Sequence, residues 1–142
     1  MEESRNALFC VENNETFMKG TYNGVSIIYR VSDKYVNVSH LCNQAGKKFY
    51  GFTRGKRWNE ILKYWIENEG IANLPPVYEI HKKYNKAQGI YVHSDLIHFV
   101  AEWISIEYAF KVAKIMNLIN ERNQLTNKSL EDTTIDLQDE ID

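Results

Sequence analysis

The side chains of this chain that form a chemically coherent set are cationic. From Gly46 to Trp58 the sequence reads Gly-Lys-Lys-Phe-Tyr-Gly-Phe-Thr-Arg-Gly-Lys-Arg-Trp. Five of those thirteen residues are basic (Lys47, Lys48, Arg54, Lys56 and Arg57), none is acidic, and four aromatics are threaded among them. Ammonium and guanidinium groups neutralise phosphates, while interleaved aromatics either anchor a segment in a core or stack on bases. The competing reading is a solvated helix face whose aromatics point inward. A second cluster, His81-Lys82-Lys83-Tyr84-Asn85-Lys86-Ala87-Gln88-Gly89, holds three lysines, one aromatic, two amides and no carboxylate.

Covalent and metal chemistry find no comparable set. The histidines at 40, 81, 93 and 98 lack metal spacing, and His93 and His98 are five apart, off the i, i+4 face of a zinc pair. His40 and Cys42 fall on different sides of a helix, a poor base–nucleophile arrangement. There is no phosphate-binding glycine loop followed by Lys-Ser/Thr and no nucleophile elbow. The reading is of a non-enzyme without metal or cofactor. Cys10 and Cys42 read as free thiols, Cys42 on a buried helix face.

A length of 142 residues suits one domain, and 44% hydrophobic and 13% aromatic content belong to a globular chain. No apolar run approaches the roughly 18 residues of a membrane span, and Met1–Arg5 lacks the features of a secretory signal. The expectation is an intracellular protein away from membranes. The net charge of −2 hides a division: residues 1–16 carry −3, residues 17–125 carry +6, and residues 126–142 carry −5. A cationic middle between acidic ends points to a polyanionic partner.

The elements that would position the two clusters follow from periodicity. Residues 1–15 read as a flexible acidic lead-in, 16–123 as the folded domain and 124–142 as a disordered acidic tail. Strands at 17–22 and 25–31 flank Asn23-Gly24, a type I′ hairpin signal, and a third follows at 35–38. Helices are expected at 40–45 (capped by Ser39), 47–54 and 57–68, with glycines at 46, 55 and 70 as stops. Trp58, Ile61, Leu62 and Trp65 form one face of the third. Two short helices joined at a glycine before a longer one suggest a helix-turn-helix arrangement. Residues 77–80 and 90–93 read as a β-hairpin whose tip is the lysine cluster, as in a DNA-binding wing. Helices at 95–104 (capped by Ser94) and 106–122 (capped by Ser105) then form a helical hairpin over the sheet. The fold class is α+β: a small antiparallel sheet, helix-turn-helix-like helices, a hairpin wing and a C-terminal helical hairpin.

Several of these segments carry a resemblance. Tyr35-Val-Asn37-Val-Ser-His-Leu41-Cys, Gly46-Lys-Lys-Phe49, Gly89-Ile-Tyr91-Val-His93-Ser-Asp95-Leu96 and Ala101-Glu-Trp103-Ile-Ser-Ile-Glu107-Tyr-Ala109 resemble, in order, the motifs of the KilA-N domain. The match spans roughly residues 20–120. KilA-N domains occur in large DNA viruses, including poxviruses, and in phages, and are related to the fungal APSES DNA-binding domain. The resemblance implies nucleic-acid binding through a helix-turn-helix and wing. Ser94 stands where the family often has proline, and serine at that position is expected to cap the helix. Poxviral relatives often carry a C-terminal RING zinc domain; no cysteine follows Cys42, so these residues build none, and the chain is either a stand-alone KilA-N protein or part of a longer one.

The expected function is sequence-tolerant or weakly specific binding of double-stranded DNA by a viral protein, in the host cytoplasm at viral factories or in the nucleus. Lys47, Lys48, Arg54, Lys56 and Arg57 would contact the backbone, with Arg54 or Arg57 reaching a guanine edge. Lys82, Lys83 and Lys86 would hold phosphates from the wing, and Tyr50, Tyr84, Asn85 and Gln88 would touch bases or sugars. RNA or single-stranded DNA is the other nucleic acid these groups suit, through stacking by Phe49, Tyr50 and Tyr84. The alternative function is a protein-interaction module engaging a host or viral protein with little nucleic-acid binding.

Overall fold

The computed structural model describes the backbone of residues 5–12, 15–69, 74–81 and 86–136, with side chains of 15–69, 74–81 and 86–121. In chain order the elements are β1 (Arg5–Glu12), β2 (Glu15–Tyr22), β3 (Val25–Arg30), β4 (Val36–Asn37), α1 (Val38–Gln44), α2 (Phe49–Thr53) and α3 (Lys56–Tyr64). A π-helical turn (Trp65–Glu69) prolongs α3, followed by β5 (Val77–Ile80), β6 (Gly89–Val92), α4 (Ser94–Ile104) and α5 (Ile106–Asp136). The strands form one antiparallel sheet in the order β1-β2-β3-β4-β6-β5, so the fold is α+β as the sequence implies.

Asn23 and Gly24 both take positive φ (47° and 87°), the type I′ requirement, and close β2 onto β3 with Tyr22 opposite Val25. Because β4 is only two residues long, β3 has an edge that no strand covers near Ser26. The Gln44 side chain of α1 covers it: Ser26 N donates to Gln44 Oε1 at 2.9 Å and Gln44 Nε2 donates to Ser26 O at 2.6 Å. An amide side chain thereby substitutes for a neighbouring strand's peptide group and fixes α1 against the sheet.

Alternation along β3 sends side chains to two cores. Val25, Ile27 and Tyr29 join Leu41 and Cys42 of α1, Leu96, Ile97 and Val100 of α4, and Val112, Ile115 and Ile119 of α5. On the opposite face Ile28 meets Phe17, Tyr35, Ala87 and Tyr91 in a smaller cluster. The two C-terminal helices are therefore core, as their period predicts.

Four local expectations are corrected. The N-cap of α1 is Asn37, whose side chain accepts from His40 N, not Ser39. The N-cap of α4 is His93, whose Nδ1 accepts from Asp95 N at 3.0 Å, not Ser94. In both cases the serine is already helical (Ser39 is the second residue of α1 and Ser94 the first of α4), so the residue before the first turn takes the cap. Arg5–Glu12, read as part of a flexible lead-in, form β1 paired with β2. α5 continues to Asp136, well past the expected end near 122. Among the described residues no helix is long and apolar enough to cross a membrane.

Candidate nucleic-acid interface

The basic segment is built on an aromatic foundation. α2 is a single five-residue helix entered past Gly46, which sits at φ 72°, and left at Gly55. Phe49, Phe52 and Trp58 are buried, with Phe49–Trp58 and Phe52–Trp58 ring centroids 5.4 and 5.6 Å apart. Phe52 also meets Trp103 of α4 at 5.4 Å, and a Cβ placed on Gly51 would lie 3.4 Å from that indole. Three of the four aromatics therefore hold α2 and α3 to the body. Tyr50 alone turns outward, 67% exposed.

All five cations are exposed, yet they lean in different directions. Lys47 places its Nζ 4.8 Å over the Trp103 ring, and Arg57 lies 5.7 Å over Phe99 and pairs with Glu102 at 3.3 Å, so both lie against α4. Arg54 sits 5.4 Å over Tyr50. Among the described residues Lys48, Arg54 and Lys56 make no ion pair, so they are the cations least committed within the fold. The Arg57–Glu102 pair joins two half-exposed side chains and is worth no more than about 1 kcal/mol, so it yields readily to a phosphate.

The β5–β6 hairpin is tied to α1 by a buried amide. Asn37, 2% exposed, accepts from His40 N at 2.9 Å through Oδ1 and donates from Nδ2 to Gln88 O at 3.1 Å. Gly89 packs against it at φ 143°, where a Cβ would lie 2.6 Å from Asn37 Oδ1. The Ser39 hydroxyl, freed from capping, accepts from Ile90 N at 3.0 Å, and Tyr91 Oη donates to Ala87 O at 2.7 Å. The start of α1 and the return strand of the hairpin are thus one hydrogen-bonded unit. Sequence reasoning missed this unit; its signal was Asn37 beside Ser39, two short polar residues at a helix start where one cap suffices.

Between α2–α3 and the hairpin runs an open groove. Tyr50 and Thr53 line one side, Val77, Glu79 and Ile90 the other, and Phe49, Trp58 and Tyr78 contribute to its lining. The basic helical segment and the base of the hairpin therefore share one surface feature. Of the expected wing residues, Lys86 and Gln88 are exposed beside Gly89, whereas Lys82, Lys83, Tyr84 and Asn85 lie outside the described residues.

Two of the groups considered for other chemistry, Cys42 and His40, are tied up within the fold. Cys42 is fully buried, and burial pushes its thiol up to about 11. His40 Nε2 lies 3.0 Å from Ser26 Oγ, and burial followed by the charge of Lys19 holds its pKa below the ordinary imidazole range. No group of three or more His, Cys, Asp or Glu able to hold a metal occurs among the described residues.

Comparison with known proteins supplies the family. The KilA-N domain family model matches residues 20–122. The KilA-N domain-containing protein L4 of Acanthamoeba polyphaga mimivirus is 32% identical over 108 residues, covering 75% of this chain and 24% of that protein. The mimivirus protein L33, also named for a KilA-N domain, is 29% identical over 119 residues, covering 80% of this chain and 48% of its own length. Protein FPV236 of fowlpox virus is 29% identical over 103 residues, covering 72% of this chain and 36% of that protein. The match thus spans about a quarter to a half of these relatives. No solved structure matches significantly.

Proposed function

The chain belongs to the KilA-N domain family, and from that premise we propose that it binds double-stranded DNA with little sequence preference through residues 47–57 and the β5–β6 hairpin. The observation that carries the proposal is the division of labour in the basic segment: Phe49, Phe52 and Trp58 are buried in the core, while Lys48, Arg54 and Lys56 are exposed, make no ion pair among the described residues, and lie close in sequence to the residues (Phe49, Tyr50, Thr53, Trp58) that line a groove shared with the hairpin. A helix and a ribbon flanking one groove are two supports from which a duplex backbone can be gripped. Lys47 and Arg57 extend the cationic surface toward α4. Lys82, Lys83 and Lys86 are assigned to the wing's phosphate contacts, with Tyr84, Asn85 and Gln88 beside them at bases or sugars. Tyr50 is assigned to sugar or base contact, and Arg54, stacked on it, is the arginine best placed to reach a base edge. The viral origin of the relatives fits a protein working on DNA inside an infected cell.

The test is fluorescence anisotropy with a labelled random-sequence duplex at about 50 and about 200 mM salt. If about six groups neutralise phosphates, log K falls against log salt with a slope near −5. The Lys48→Glu/Arg54→Glu/Lys56→Glu variant, altered only at exposed positions, should keep its fold and lose most of this affinity. An absence of binding at the lower salt, or full affinity in the variant, overturns the assignment. Single-stranded DNA or RNA binding more tightly than the duplex would move the partner to an unpaired strand stacked on Tyr50.

A further inference from the structure

A second groove, separate from the one beside the hairpin, lies between α3 with its π-helical turn and α4, with a volume of about 510 Å³. Ile61, Trp65, Leu96 and Phe99 give it an apolar lining. Its charged edge is of opposite character to the DNA-facing segment: Glu60, Glu69 and Asp95 stand against the single guanidinium of Arg57, which is itself paired with Glu102. Tyr64, 61% exposed, and His98 complete the lip. Trp65 is fixed as the floor by donating from Nε1 to Asp95 Oδ2 at 3.0 Å and by packing on the His93 ring at 5.0 Å.

We infer that this groove is a docking site for a basic amphipathic segment of a partner protein. Its apolar floor takes aliphatic or aromatic anchors, as grooves that receive amphipathic helices do, and its carboxylates select lysine or arginine around those anchors. Arg57 is the one lining residue shared with the proposed DNA surface, and the three carboxylates repel phosphate from the rest of the groove. The inference does not rest on DNA binding. A chain that failed to bind DNA would leave it intact.

The test uses the whole ¹⁵N-labelled chain, with the Trp65 indole N–H resonance, assigned through Trp65→Phe, as the reporter. The probe is a synthetic helical peptide with leucine at i, i+3, i+4 and i+7 and lysine elsewhere; its counterpart carries glutamate in place of lysine. The lysine peptide should shift the Trp65 resonance saturably, and the glutamate peptide should not. Glu60→Lys/Glu69→Lys, at two exposed positions, should weaken the lysine peptide at least about tenfold, whereas Lys48→Glu/Arg54→Glu should leave it unchanged. The inference is overturned if both peptides bind alike or if reversing the rim has no effect. It is equally overturned if the shift appears on concentrating the protein alone, which would put a second copy in the groove.

Discussion

The contact between Gly89 and Asn37 makes the sharpest quantitative prediction. At φ 143° a residue with a side chain is strained, at a cost on the order of 1–3 kcal/mol. A Cβ there would also lie 2.6 Å from Asn37 Oδ1 and 2.8 Å from Nδ2, too close for any real contact. Asn37 is buried and bonded through both ends of its amide, so moving it away from a new Cβ means giving up its partners. The cap on His40 N is worth about 1 kcal/mol, and the bond to Gln88 O about 1 kcal/mol more. Gly89→Ala should therefore destabilise by roughly 3–5 kcal/mol, and Asn37→Ala by roughly 2 kcal/mol. Once Asn37 is truncated only backbone strain remains, so the double variant should fall short of the sum of the singles by about 2 kcal/mol. Guanidinium denaturation followed by far-UV circular dichroism measures all three, with slopes expected to match the parent's. A Gly89→Ala cost below about 1 kcal/mol, or singles that add within about 0.5 kcal/mol, would refute the clamp.

Three further outcomes are expected. Lys82→Glu/Lys83→Glu/Lys86→Glu should weaken duplex binding uniformly across sequences in the anisotropy assay; unchanged affinity removes the hairpin tip from the interface. Ser105→Ala removes the hydroxyl that accepts from Tyr108 N at 3.0 Å and should cost about 1 kcal/mol in the same denaturation series. Burial raises the Cys42 thiol from 9.0 to about 11, so its neutral form is favoured in the folded chain. Its contribution to stability is complete below pH 9 and is lost at about 1.4 kcal/mol per pH unit as pH rises toward 11. Denaturation of parent and Cys42→Ala across that range should show a shallower decline in the variant, and parallel curves would contradict the reading.

What the sequence made legible was governed by local chemistry. Asn23-Gly24 needs two positive φ values, and the turn is there; the apolar period of 96–104 and 106–119 marks a buried helix pair, and the pair packs as core. Asn37 and Gly89 illustrate the other kind of information. Asn37 and Gly89 meet only because β4 and β6 are sheet neighbours, a pairing across fifty residues that no local pattern encodes. The caps failed for a smaller reason: Ser39 and Ser94 are good cap types, but Asn37 and His93 lie just ahead of the first helical residue and reach the amides first. Within the basic segment, sequence identified which residues carry charge but not where each leans. The partition of Lys47 and Arg57 toward α4, away from the hairpin groove, depends on Trp103, Phe99 and Glu102, all supplied by a helix 42 to 56 residues downstream.

That partition constrains what the interface can read. A stacking mode on bases needs exposed rings, and burial of Phe49, Phe52 and Trp58 leaves Tyr50 as the one ring in the segment available to a partner. A single exposed ring suits one sugar or base contact better than a platform for successive unpaired bases, which favours a duplex over a single strand. Its neighbour Arg54 lies with its guanidinium 5.4 Å from the ring centroid, a weak cation–π contact that brings charge and ring to one place on the surface. The return strand β6 and the residue before it are bonded to Asn37 and Ser39 at the start of α1. Affinity in such an arrangement comes from charge placed on rigid supports, and specificity can enter only through the few groups that reach past the backbone. In the proposed interface Arg54 and Tyr50 are assigned that role on the helical side. Replacing both should therefore flatten any sequence preference while leaving the salt slope reduced by only about one phosphate.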